Sequence, residues 1–153
     1  MRSGSATGAT DLRAWLVDTG PLVAYLDARD PAHDEVASRW EGFAGRLVTT
    51  SAVITEAMHF VSAGRRGPRL LAELAAASGL EVYDVTGPPE LLAAVDLMEK
   101  YADTPMDFAD ATLLLVAEAL DLNDVFTLDR RGFSVYRTRD GRPLRSILDS
   151  DPG

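Results

Sequence analysis

The sequence predicts an α/β fold, a three-layer α/β/α sandwich around a mainly parallel central sheet. Short apolar runs bounded by turn signals alternate with longer segments of helical periodicity, the pattern of repeated strand and helix units. The chain has 153 residues and is 46% hydrophobic, enough for one domain with a substantial core. No internal repeat or interdomain linker interrupts the alternation, and no apolar stretch approaches the ~18 residues of a membrane span.

Taken in order, Ala14 to Asp18 (AWLVD) reads as the first strand, followed by a helix with Pro21 in its first turn. Asp30-Pro31 opens a second helical segment reaching about Phe43. Leu47 to Thr50 (LVTT) is the second strand, and Ser51 is placed to cap a helix from Ala52 to about Ala63, which the following RRGP breaks. A helix over roughly Arg69 to Ala77, a strand over Leu80 to Val85 and a helix started by Gly87-Pro88-Pro89 toward Tyr101 come next. Thr104-Pro105 begins another helix that runs through Leu120. Asp124 to Leu128 (DVFTL) is the last core strand, with a shorter one expected around Ser134 to Arg137. The domain is expected over residues 13–148, between a flexible leader of residues 1–12 and a tail of residues 149–153.

Composition narrows the function classes. Cysteine is absent, so neither a disulfide framework nor a thiolate metal site is possible, as suits a reducing compartment. The opening MRSGSATGATD has one Arg and no apolar h-region, so it does not read as a secretion signal. A soluble, cytoplasmic protein is expected. The net charge of −9 weighs against nucleic acid at first sight, but the charge is unevenly spread. Residues 129–145 hold six Arg against two acids, whereas residues 1–128 hold nine bases against twenty acids. Arg65, Arg66 and Arg69 form a second group. Lys100 is the single lysine, so nearly all positive charge is guanidinium, suited to fork onto phosphate oxygens; ordinary solvated surface charge is the competing reading.

LVDTG at Leu16–Gly20 matches half of an aspartyl-protease dyad, but such proteases are almost all β and need a second Asp-Thr-Gly. In an open α/β sheet Asp18 instead ends the first strand, where ligands bind, and Asp129 follows the last core strand in the same way. Glu56 lies in the largely apolar helix SAVITEAMHF, where an ionised group is costly unless that face opens on a polar site. Asp107 and Asp110, three apart, share one face of a helix whose continuation is apolar. Thr104 to Asp107 matches a capping box, which gives Asp107 a local role and leaves Asp110 as the stronger ligand candidate. Gathered acids repel one another and are driven toward protonation unless a cation neutralises them. With only His33 and His59 available, oxygen ligands suit Mg²⁺ or Mn²⁺. Glu56 and His59 form one Glu-x-x-His where di-iron bundles use two, so His59 is expected in the core or at its edge.

VDTGPLVAYL, SAVITEAMHF, PMDFADATLLLVAE and VFTLDRRGF together resemble, in order and spacing, the acidic motifs of a PIN domain, in particular the small VapC-like toxin ribonucleases of toxin–antitoxin systems. The likeness runs from about Trp15 to Tyr136. It implies a PIN-like sandwich, Mg²⁺- or Mn²⁺-dependent endoribonuclease activity, a homodimer and inhibition by a cognate antitoxin. Asp18, Glu56, Asp110 and Asp129 fall on the family's acidic positions, Asp107 on one where some members are acidic, and Thr127 on its small hydroxyl residue. The metal would then be held by Asp18 and Asp110 with support from Glu56 and Asp129, and RNA by Arg130, Arg131, Arg137 and Arg139. A phosphoaspartyl enzyme would need an acid where Gly20 stands, and a receiver domain a Lys after a late strand. A non-catalytic PIN-like RNA-binding or protein-interaction scaffold is the alternative, against which the four filled acidic positions count.

Overall fold

A computed structural model describes residues 13–149. The expected leader of residues 1–12, and residues 150–153 of the expected tail, lie outside the described residues. The element order is β1 Ala14–Val17, α1 Thr19–Leu26, α2 His33–Glu41, β2 Arg46–Thr50, α3 Ser51–Val61, α4 Gly67–Ser78, β3 Glu81–Tyr83, α5 Pro88–Lys100, α6 Phe108–Leu120, β4 Asp124–Phe126, α7 Arg130–Val135 and β5 Arg145–Ser146, closed by a 3₁₀ turn at Ile147–Asp149.

The strands lie in the order β3-β2-β1-β4-β5, every pair parallel. Leu16 of β1 is in register with Val48 on one side and Val125 on the other, and all four residues of β1 are buried. A parallel sheet buried on both faces reads as a continuous apolar run, which is why AWLV and LVTT lack alternation. Helices cover both faces in an α/β/α architecture. Leu22, Val36, Val53, Ala57, Leu113 and Leu114 of the helices share one buried core with the sheet's Leu16, Val48 and Phe126. The run Ala111 to Ala117 of α6 is buried throughout, as a helix apolar on all sides must be. No helix of the described residues is long and apolar enough to cross a membrane.

Local chemistry moved several boundaries. The helix expected from Thr104-Pro105 begins at Phe108, with Asp107 as its N-cap, because Thr104 N–H closes a turn onto the Tyr101 carbonyl at 2.9 Å. Thr50, not Ser51, caps α3, its hydroxyl accepting from Val53 N–H at 3.2 Å. The strand expected around Ser134 to Arg137 is a correction of kind: Ser134 and Val135 end helix α7, and Arg137 makes only an isolated antiparallel bridge to Pro143. Asp129 starts that helix by accepting from Gly132 N–H at 3.0 Å, and the buried Tyr136 ring fixes its end. The edge strand is instead β5, two polar residues whose Arg145 donates to Asp124 across the pair at 2.9 Å. Such a short polar strand carries no periodicity to read.

Candidate active site

Strand order reverses between β1 and β4, since β2 and β3 lie on one side of β1 and β4 and β5 on the other. The crevice beyond the carboxyl ends at such a switch point is where open α/β sheets bind ligands. Asp18 leaves β1 there and caps α1, accepting from Thr19 N–H at 2.8 Å with Oδ1. Its Oδ2 accepts from the Thr127 hydroxyl at 2.8 Å. Thr127 follows β4, and its oxygen in turn accepts from Asp129 N–H at 2.9 Å. Asp129 then folds over the first turn of α7, an approach open only because position 132 is glycine: a Cβ there would lie 2.4 Å from the Asp129 carboxylate.

The helices bring the other acids. Glu56 projects from α3 and accepts from the Thr19 hydroxyl at 2.5 Å. Asp107 and Asp110 form a reciprocal capping box at the start of α6: Asp110 N–H donates to Asp107 Oδ1 at 2.8 Å, and Asp107 N–H to Asp110 Oδ2 at 3.1 Å. The box thus sits three residues later than the sequence suggested, and Asp110 also has a local structural role. Asp18, Glu56, Asp107, Asp110 and Asp129 line one open cavity of about 470 Å³.

Their crowding shows in their proton affinities. Burial, set against hydrogen bonds from Thr127 and Thr19 and aided by the charges of Asp107 and Glu56, pushes Asp18 up to about 6. Burial, followed by the charges of Asp18 and Asp107, pushes Asp110 up to about 8. Burial and the nearby Asp107 also raise Glu56, against the hydrogen bond from Thr19. The Tyr136 hydroxyl, donating to the Pro105 carbonyl at 2.7 Å, is raised by burial and then by Asp110 and Asp129. Among the described residues, no Lys, Arg or His lines the cavity that holds these carboxylates.

That shortage and the all-oxygen donor set fit a hard divalent cation. Among the described residues, however, no group of three or more His, Asp or Glu side chains is arranged to ligate a single ion directly. The two observations agree if water completes the coordination, since Mg²⁺ retains several waters and takes only one or two carboxylates. Each carboxylate oxygen engaged by the protein also keeps a second lone-pair site.

The structure separates the remaining candidates. His59 is exposed on α3, its ring 6.0 Å from that of Phe60, so its expected place in or near the core is wrong. His33 is half-buried, with Nδ1–H donating to the Ala24 carbonyl at 2.9 Å. Three of the four arginines expected on RNA have partners within the chain. Arg130 lies 3.7 Å from both Glu35 and Asp149, and Arg139 donates to Glu118 at 2.7 Å. Arg137 donates to the carbonyls of Ser134, Val135 and Tyr136. Arg131 makes no side-chain hydrogen bond or ion pair among the described residues. Sequence reasoning missed Thr19, which tethers Glu56, and Asp30, a further acid on the cavity wall. Asp30-Pro31 reads as a turn, and Asp30 does accept from Ala32 N–H at 2.8 Å; no local signal marks its place on the cavity wall.

The PIN-domain family model matches residues 15–138. Ribonuclease VapC26 of Mycobacterium tuberculosis is 33% identical over 130 residues, covering 82% of this chain and 94% of that protein. The crystal structure of Mycobacterium tuberculosis VapC20, a Sarcin-Ricin loop cleaving toxin, superposes with a TM-score of 0.71 at 21% identity, covering 84% of this chain and 98% of the other. VapBC2 from Rickettsia felis, bound to a DNA fragment from its promoter, gives 0.58 at 13% identity, over 87% and 98%.

Proposed function

The chain belongs to the PIN-domain family, and from that premise we propose that it is a divalent-metal-dependent endoribonuclease, the toxin of a type II toxin–antitoxin system. The observation that carries this reading is the meeting of Asp18, Glu56, Asp110 and Asp129, from two strand ends and two helices, on one cavity at the sheet's switch point. Similarity to a VapC ribonuclease over most of both chains supports it.

Asp18 and Asp110 would hold Mg²⁺ or Mn²⁺, with Glu56 and Asp129 contributing directly or through water. When bound, such an ion activates water as the nucleophile and offsets the charge that grows on phosphorus. The protein's part is positioning. Thr127 fixes Asp18 and the backbone of Asp129 together, and Thr19 aims Glu56. Asp107 holds the first turn of α6 and adds negative charge to the cavity. Arg130, Arg131, Arg137 and Arg139 are the proposed RNA contacts of the C-terminal group, and Arg131, two residues beyond Asp129, is the one with no side-chain hydrogen bond or ion pair among the described residues. The products are a 3′-hydroxyl and a 5′-phosphate.

The protein works in the cytoplasm as a homodimer, held in check by a cognate antitoxin. Leu91, Leu92 and Val95, exposed together on α5, support a protein-covered face. The spacing of the acids is the one observation that favours a scaffold instead. Incubation of the purified chain with a panel of structured RNAs, with Mn²⁺, Mg²⁺ or chelator, decides between them. Metal-dependent cleavage leaving 5′-phosphates is expected; cleavage undiminished by chelator, or none on any RNA, overturns the reading.

A further inference from the structure

Beside the acidic cavity lies a second recess of about 350 Å³, and Val23 and Phe60 line both. Its lining carries Arg29, Arg65 and Arg66 against one acid, Asp27. We infer that the continuous groove is the RNA path on one side of the cleaved bond, with a base stacked on Phe60 and the adjoining phosphates held by Arg65 and Arg66. This rests on the ribonuclease reading above.

Three observations carry it. Phe60 is 57% exposed on the last turn of α3, a large aromatic ring left in water between an acidic and a basic surface. Every base has a face that can stack on such a ring, so an exposed aromatic beside cations suits single-stranded nucleic acid. Arg65 and Arg66 sit in the turn between α3 and α4 and make no side-chain hydrogen bond or ion pair among the described residues. Arg29 pairs with Asp27 at 3.3 Å, with its side chain 93% exposed. The guanidinium groups of Arg65 and Arg66 are free to fork onto phosphate, unlike those of Arg130, Arg137 and Arg139. The third observation is electrostatic. Acids line the cavity of a chain whose net charge is −9, so a phosphodiester approaching it is repelled unless cations flank the entrance. This groove supplies them in a recess that shares Val23 and Phe60 with the acidic cavity. Charge complementarity thus selects a polyanion over an apolar protein segment as its occupant.

The test uses the full chain carrying Asp18→Asn, to suppress cleavage, and a fluorescent single-stranded RNA over a salt series. Adding Arg65→Gln and Arg66→Gln together is expected to weaken binding and flatten the log–log salt slope by about 1.4, two phosphate contacts at roughly 0.7 each. Phe60→Leu is expected to weaken binding about five- to 150-fold, the range for one lost base–aromatic stack, while Phe60→Trp preserves it. In the chain with Asp18 intact, the same substitutions raise KM and spare kcat. All three positions are exposed, and circular dichroism checks the fold. If the parent binds and the variants match it in affinity and slope, the groove is not the RNA path, although the ribonuclease reading stands. Variants that keep RNA binding but lose a purified antitoxin overturn the inference in favour of a protein-docking surface. A parent that neither binds nor, with Asp18 restored, cleaves any RNA removes both proposals.

Discussion

Thr127 donates its hydroxyl to Asp18 Oδ2 at 2.8 Å across 109 positions of sequence, and the same oxygen accepts Asp129 N–H. One small, fully buried side chain thereby ties the ends of the two strands that flank the switch point. A hydrogen bond to a carboxylate favours its ionised form, the form that holds a cation. Thr127→Val keeps the shape and removes the donor. The rate–pH profile of RNA cleavage is expected to shift to higher pH with lower kcat, and Thr127→Ser to restore both; an unchanged profile counts against a positioning role.

Asp18→Asn is expected to abolish cleavage without lowering thermal stability. The amide oxygen can still accept from Thr127 or Thr19 N–H, and the substitution removes an anion that burial disfavours. Cleavage assays and thermal melts on the same preparation check this. Parent-like activity would falsify the metal-site assignment.

The reciprocal capping box separates stability from charge. Asp107→Ala is expected to cost about 0.5–2 kcal/mol as a lost N-cap, whereas Asp107→Asn retains the cap and leaves denaturant midpoints nearly unchanged. Asp110→Asn is expected to reduce cleavage more than Asp107→Asn. Equal losses of activity would assign the two acids the same role.

The acids also make stability fall as pH rises. Asp18 and Asp110 stand at about 6 and about 8, above the ordinary carboxylate value near 4, so the folded chain holds their protons more tightly than the unfolded one. Their favourable contribution is fully present below about pH 4 and is lost between about pH 4 and 8. Without divalent cations, Tm is expected to decline across that window. Mg²⁺ or Mn²⁺ should restore it most at the upper end, where no proton competes for the carboxylates. Asp110→Asn should flatten the decline, and calorimetry over a pH series measures each effect.

Much of the fold was legible because buried parallel strands and amphipathic helices write their periods into neighbouring residues. AWLV, LVTT and the long run of α6 are cases in point. Caps were less legible. Thr50 and Ser51 are equally suited to cap α3, and either end of Thr104–Asp107 can start α6; backbone geometry chose Thr50 and Asp107. His59 was misplaced because an i, i+3 spacing from Glu56 does not say whether the later residue has already turned toward solvent.

The order of strand and helix, and the acids that end strands β1 and β4 or lie on α3 and α6, belong to the sequence alone, because each depends on residues within a turn or two. Only the tertiary structure decided that β1 and β4 are neighbours, that Thr19 meets Glu56 and that Asp30 joins the cavity wall. It also decided which arginines are engaged: Arg139 finds Glu118 and Arg130 finds Glu35, while Arg65 and Arg66 face an open recess. A partner many residues away is selected by how helices pack on the sheet, and no local pattern records that choice.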